Sequence, residues 1–202
     1  MNGNLVHLFP IPVSFYNDID LSQSEVEAIN KLETKFNINN LTSVENYIFK
    51  NHKAFKRLEF FCYTAVNDFF KEAYAPENKD LRLKITQSWA NFTLKGQMHH
   101  KHSHPNSIVS GVYYINADIE VDRIRFFQPS LKIWDVPSDN YLPTNSETWW
   151  FSVGTGTLIL FPSTLEHCVD PVTHDNTRIS LSFNTFFSGT AGSDYQLTEL
   201  IL

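Results

Sequence analysis

Two hydrophobic periods divide the chain. In the first third, apolar side chains recur every three to four positions. After Ser22, the stretch SEVEAINKLETKF places Val26, Ile29 and Leu32 at helical spacing, with Ser22 or alternatively Ser24 as the cap. A second helix is predicted over about 53–74, where Phe55, Leu58, Phe61, Cys62, Ala65, Val66, Phe69 and Phe70 trace one stripe. Pro76 and Asn78 then mark a break. From Leu81 onward the period drops to two. LRLKITQSWANFTL, SIVSGVYYIN, RIRFFQP, TWWFSVG, TLILFP and RISLSFNTFF read as strands separated by polar, Pro or Gly breaks. The stretch 133–147, rich in Pro, Ser, Asn and Asp, reads as a long loop. Helices followed by antiparallel strands predict a mainly β fold with N-terminal helices, a sandwich or jelly roll. One domain over 1–202 is expected, with helical support mainly at 20–76 and a β core at about 81–188.

Composition sharpens this picture. Among 202 residues there are 17 Phe, 8 Tyr and 4 Trp, which favour strands. A formal net charge of −6 argues against a surface built for nucleic-acid phosphates. The two cysteines, Cys62 and Cys168, imply no disulfide framework. No apolar run is long enough to span a bilayer, and the start lacks a secretory signal pattern, so a cytoplasmic protein is expected. Aromatic strands would suit a homodimer.

The chemistry concentrates in GQMHHKHSHPNSIVSGVYYIN. His99, His100, His102 and His104 fall within six positions. On a strand, His102 and His104 would face the same way and could bind one metal ion. His167, after an apolar strand and a Pro-Ser break, is the candidate third ligand. Arg178 and Ser180 share a strand face further on, and a guanidinium with a hydroxyl suits a carboxylate. The same residues admit other readings: a zinc site on His100, His102 and His104, a solvated histidine loop, or a surface ion pair at Arg178.

In order, SWANF (Trp89, Asn91), HSHP (His102 to Pro105), SGVYY (Ser110 to Tyr114), LFPSTLEH (Leu160 to His167) and RISLSFN (Arg178 to Asn184) resemble the small 2-oxoglutarate/Fe(II) oxygenases. They are similar to a branch found in bacteria and phages, for which the host cytoplasm would be the location if phage-encoded. The resemblance covers roughly 85–187, and the opening LFPIPV is similar to that branch's amino terminus. It implies a double-stranded β-helix, a cupin-like jelly roll, with Fe(II) on His102, His104 and His167. It implies 2-oxoglutarate as cosubstrate and O2 as oxidant, with Arg178 and Ser180 on the distal carboxylate. Tyr114 is similar to a tyrosine that reaches this carboxylate in prolyl-hydroxylase-like enzymes, while Asn91 and Asn184 are candidate pocket residues. The implied activity is hydroxylation of an unidentified primary substrate with release of succinate and CO2.

One departure stands out. Most of the wider superfamily has His-x-Asp or His-x-Glu, whereas here His104 occupies the carboxylate position. A cupin-type dioxygenase independent of 2-oxoglutarate and a non-catalytic or zinc-binding jelly-roll module are the competing functions. Residues 135–150 could form a lid, with Trp134, Trp149 and Trp150 as its apolar contacts.

Overall fold

The computed structural model describes residues 3–17, 19–129 and 136–202. Its elements in chain order are β1 (Ser14–Tyr16), α1 (Gln23–Asn30), β2 (Thr34–Asn37), β3 (Asn40–Ser43), α2 (Ile48–Asn51) and α3 (Lys56–Tyr74). There follow β4 (Arg82–Thr93), β5 (His99–His102), β6 (Val109–Asn116), β7 (Arg123–Phe127) and β8 (Thr148–Ser152). The chain ends with β9 (Leu158–Pro162), β10 (His167–Val169), β11 (Arg178–Ser188), β12 (Thr190–Ala191) and β13 (Leu200–Ile201). Every apolar run predicted to be a strand is one.

The strands form two facing sheets. The larger has the order β1-β9-β6-β11-β4-β3-β2 and the smaller β5-β10-β7-β8, with antiparallel pairing between strand neighbours. The order jumps repeatedly along the chain, as expected of a jelly roll. β12 and β13 pair separately.

Side-chain alternation sorts the core into two layers. Tyr113, Leu158, Leu160, Leu181 and Phe183 point from the larger sheet towards α3, where Leu58, Cys62, Val66 and Phe69 meet them. Their neighbours Val112, Tyr114, Ile159 and Phe161 point the other way, towards Ile124 and Phe126 of the smaller sheet. Each large apolar side chain buried in this way contributes about 1.5–3 kcal/mol relative to exposure. Gly111 lies opposite Phe183, and a Cβ there would come within 2.1 Å of the phenyl ring, so only glycine leaves that ring its place.

The first helix is shorter than its periodicity suggests. Ser22 caps it in a capping box with Glu25, and Asn30 ends it. The helical reading through Phe36 is corrected: Thr34–Asn37 and Asn40–Ser43 form a hairpin about Ile38 and Asn39. Leu32 still packs on the core, so its position in the pattern reports burial rather than helix. β1, α2 and this hairpin carry no periodic signal long enough to read. Among the described residues no helix is long and apolar enough to cross a membrane.

Candidate metal centre

Three histidines from two segments of the chain meet between the sheets. His102 ends β5, His167 opens β10, and the two are direct cross-strand partners. His104 stands two residues beyond β5, not on the strand expected for it, and its backbone N–H donates to the carbonyl of Ser163 at 2.9 Å. One ligand nitrogen from each of His102, His104 and His167 lies within 4.8 Å of the other two. His100 does not belong to this group, so the grouping of His100 with His102 and His104 is corrected.

The imidazoles are set up as neutral ligands. His102 Nδ1 lies 2.7 Å from the carbonyl of His100, and His167 Nδ1 lies 3.0 Å from that of Leu165. A proton donated there leaves the lone pair of each Nε2 for a cation. Burial holds the His167 ring well below the usual histidine range, and nearby His102 adds to the shift. Burial also lowers His102 and, with His102 beside it, pushes His104 down to about 4.

A bulge brings in a fourth ring. β5 pairs His102 with His167 and His99 with Val169, so β5 has one more residue than β10 across this interval. His99 therefore shares the face of His102. Their rings stack at 4.6 Å and 21°, and Asn40 Nδ2 lies 3.4 Å from His99 Nδ1. Strict alternation places His99 on the opposite face, which is why the sequence conceals it. Burial, then the nearby His102, pushes His99 down to about 3.

These shifts fix the sign of a pH effect in the metal-free protein. Between about pH 4 and 6.5, the unfolded chain binds more protons at His104 than the folded one. The stabilisation is complete above pH 6.5 and lost as pH falls through about 4. Calorimetry in chelator should therefore show Tm declining over this window, with a shallower decline for His104→Asn. Identical slopes would contradict the burial of this ring in its neutral form.

Beyond the histidines, register lines up a row of polar side chains. Ser180 on β11 is the cross-strand partner of Asn91 on β4 and of Tyr114 on β6. Arg178, two positions earlier and opposite Thr93, faces the same cleft. Tyr114, Arg178, Asn91 and Ser180 are all buried. The Tyr114 hydroxyl and Asn91 Oδ1 are buried without a hydrogen-bond partner, while Asn91 Nδ2 donates to Ser182 Oγ at 3.1 Å. Orphaned buried polar atoms cost about 1–3 kcal/mol each unless a ligand meets them. Burial raises the Tyr114 phenol above its ordinary range, so it stays protonated and able to donate.

Asn184 is placed differently from expectation and does not line the cleft. Its Oδ1 accepts from Ser110 at 2.9 Å, within a buried chain that continues through Ser163 and Ser107. That chain supports the backbone holding His104. Trp134 lies outside the described residues. Trp149 lines an apolar groove with Phe126, Phe151 and Leu165, whereas Trp150 is exposed, its ring 4.3 Å from the Arg123 guanidinium. The Trp89 ring lies 5.7 Å from that of His104.

The residues present fit a divalent cation with an anionic ligand. Three neutral imidazole nitrogens converge, and a buried guanidinium, phenol, amide and hydroxyl occupy the same cleft.

Comparisons agree with this geometry. Residues 87–184 match the family described as "Putative 2OG-Fe(II) oxygenase". No curated protein matches the chain in sequence. Among solved structures, the chain is similar to HygX from Streptomyces hygroscopicus with nickel and 2-oxoglutarate bound. That likeness has a TM-score of 0.59 and 12% identity, covering 87% of this chain and 82% of that one. A Pseudomonas putida prolyl-4-hydroxylase gives a TM-score of 0.56 at 12% identity, covering 87% and 94%. An oxidoreductase of the 2OG-Fe(II) oxygenase family from Burkholderia pseudomallei gives 0.56 at 14%, covering 80% and 76%. At these identities the structural likeness establishes the jelly-roll fold.

Proposed function

We propose that this chain, whose residues 87–184 match the 2-oxoglutarate/Fe(II) oxygenase family, hydroxylates an unidentified primary substrate, with release of succinate and CO2. The observation that carries the reading is the meeting of the three imidazoles with the buried row Arg178, Ser180, Tyr114 and Asn91 in one cleft. Iron(II), 2-oxoglutarate and O2, when bound, supply oxidative decarboxylation coupled to C–H hydroxylation.

The chain's own residues have separable tasks. His102, His104 and His167 hold the metal, and their burial keeps the rings unprotonated near neutral pH. Arg178 attracts the distal carboxylate of 2-oxoglutarate. Tyr114 donates its orphaned hydroxyl to the same group, Ser180 adds a second hydroxyl, and Asn91 borders this end of the cleft. Phe126, Phe161, Val112 and Ile124 wall the site and exclude water. His104 in place of a carboxylate leaves the metal site one unit more positive, which strengthens its hold on a dianionic ligand.

The buried Arg178 and the neutral polar row beside it favour this reading over a cupin-type dioxygenase or a zinc-binding module, neither of which needs a carboxylate clamp. Purified protein supplied with iron(II), ascorbate and 2-oxoglutarate should form succinate slowly without a primary substrate. Omission of iron, or addition of a chelator, should abolish it. No succinate from an iron-loaded, folded protein in the presence of candidate substrates, with no binding of 2-oxoglutarate, would contradict the proposal.

A further inference from the structure

Arg178 is in contact with a second buried charge. Asp122, just before β7, has a buried carboxylate, 2% exposed. Three donors converge on it. The backbone N–H of Asp118 and the Nε2 of His174 reach Oδ2 at 2.9 and 3.1 Å, and Arg178 Nη1 reaches Oδ1 at 3.5 Å. Its own backbone is anchored too, donating to Asp118 O at 2.8 Å and accepting from the N–H of Val153 at 3.0 Å. His174 comes from the loop between β10 and β11, so the cluster ties that loop to the turn before β7.

We propose that Asp122, itself oriented by His174, is the positioning residue for Arg178, holding its guanidinium aimed into the cleft before 2-oxoglutarate arrives. The inference rests on the reading of Arg178 as the carboxylate clamp. A buried guanidinium without a counter-ion is strongly disfavoured and would turn towards solvent. Paired with Asp122, it stays in the cleft, and less side-chain entropy is lost when the ligand binds.

Position 122 requires a carboxylate. Donors approach both of its oxygens, and an amide would turn an NH2 towards one of them. The negative charge of Asp122 opposes the incoming carboxylate, but three donors disperse that charge, and orientation outweighs the repulsion. Neither residue has a readable signal in sequence. DIEVD and THDN are ordinary loop segments, and the contact spans 56 positions between Asp122 and Arg178.

The test is calorimetric titration of 2-oxoglutarate into anaerobic manganese(II)-loaded protein, alongside steady-state kinetics on the iron form. Asp122→Ala and Asp122→Asn should raise Kd about tenfold or more, the size usual for loss of a supporting partner. KM for 2-oxoglutarate should rise with it, while kcat at saturating cosubstrate and metal affinity stay within about threefold. His174→Gln keeps a donor for Asp122 and should bind within about threefold of wild type, whereas His174→Leu should weaken binding about fivefold. If Asp122→Ala does not fold, the two His174 variants decide alone. Unchanged or tighter binding in Asp122→Ala, or equal effects of His174→Gln and His174→Leu, would overturn the proposal. Loss of binding in Arg178→Met in that same series would leave the clamp reading standing. An unaffected Arg178→Met would instead remove the clamp reading itself.

Discussion

His167→Ala is expected to abolish tight iron(II) binding and succinate formation together. The residue is buried and contributes one of three converging nitrogens. With it gone, two imidazoles remain on a single irregular segment. Supporting partners of metal ligands are worth about 10–100-fold in affinity, and loss of a ligand itself should exceed roughly 100-fold. The truncation also removes a ring packed against Phe161 at 4.7 Å. His167→Asn, which retains more of the volume, separates lost ligation from lost packing. Equilibrium dialysis against iron(II) or manganese(II), with circular dichroism to verify folding, checks the result. Tight binding by either folded variant would remove His167 from the ligand set.

Arg178→Met is expected to leave the metal in place and remove the cosubstrate. Arg178 is 4% exposed and carries a charge that methionine cannot replace, although it fills similar space. Loss of one member of a buried charged contact costs about 2–5 kcal/mol, so Kd for 2-oxoglutarate should rise on the order of 100-fold or more. The variant should also unfold at a lower temperature, because Asp122 loses a buried counter-ion. Calorimetry with 2-oxoglutarate, set beside a metal titration on the same protein, reads the two effects separately. Weakened metal binding with unchanged cosubstrate affinity would place Arg178 in another role.

Much of this site was legible in sequence because β structure converts spacing into direction. Arg178 and Ser180 fall on one face through the period of two, and Tyr113 and Tyr114 separate to opposite layers for the same reason. The pairing of Ser180 with both Asn91 and Tyr114 depends on register, which a single strand does not contain. His104 joins the histidine cluster from an irregular segment rather than a strand, so the expected meeting arises by a different geometry. His99 was hidden by a one-residue bulge, and Asn184 was drawn away by a serine chain no local pattern reveals. The hairpin at 34–43 overruled a helical period because its strands could add to the edge of the larger sheet at β4.

The most direct measurement is an anaerobic absorption titration of the iron(II) protein with 2-oxoglutarate. A visible metal-to-ligand band that saturates at one equivalent, absent from His167→Ala and displaced to much higher ligand concentration in Arg178→Met, is the predicted result. A wild-type protein that binds iron tightly yet shows no band at any 2-oxoglutarate concentration would contradict the account.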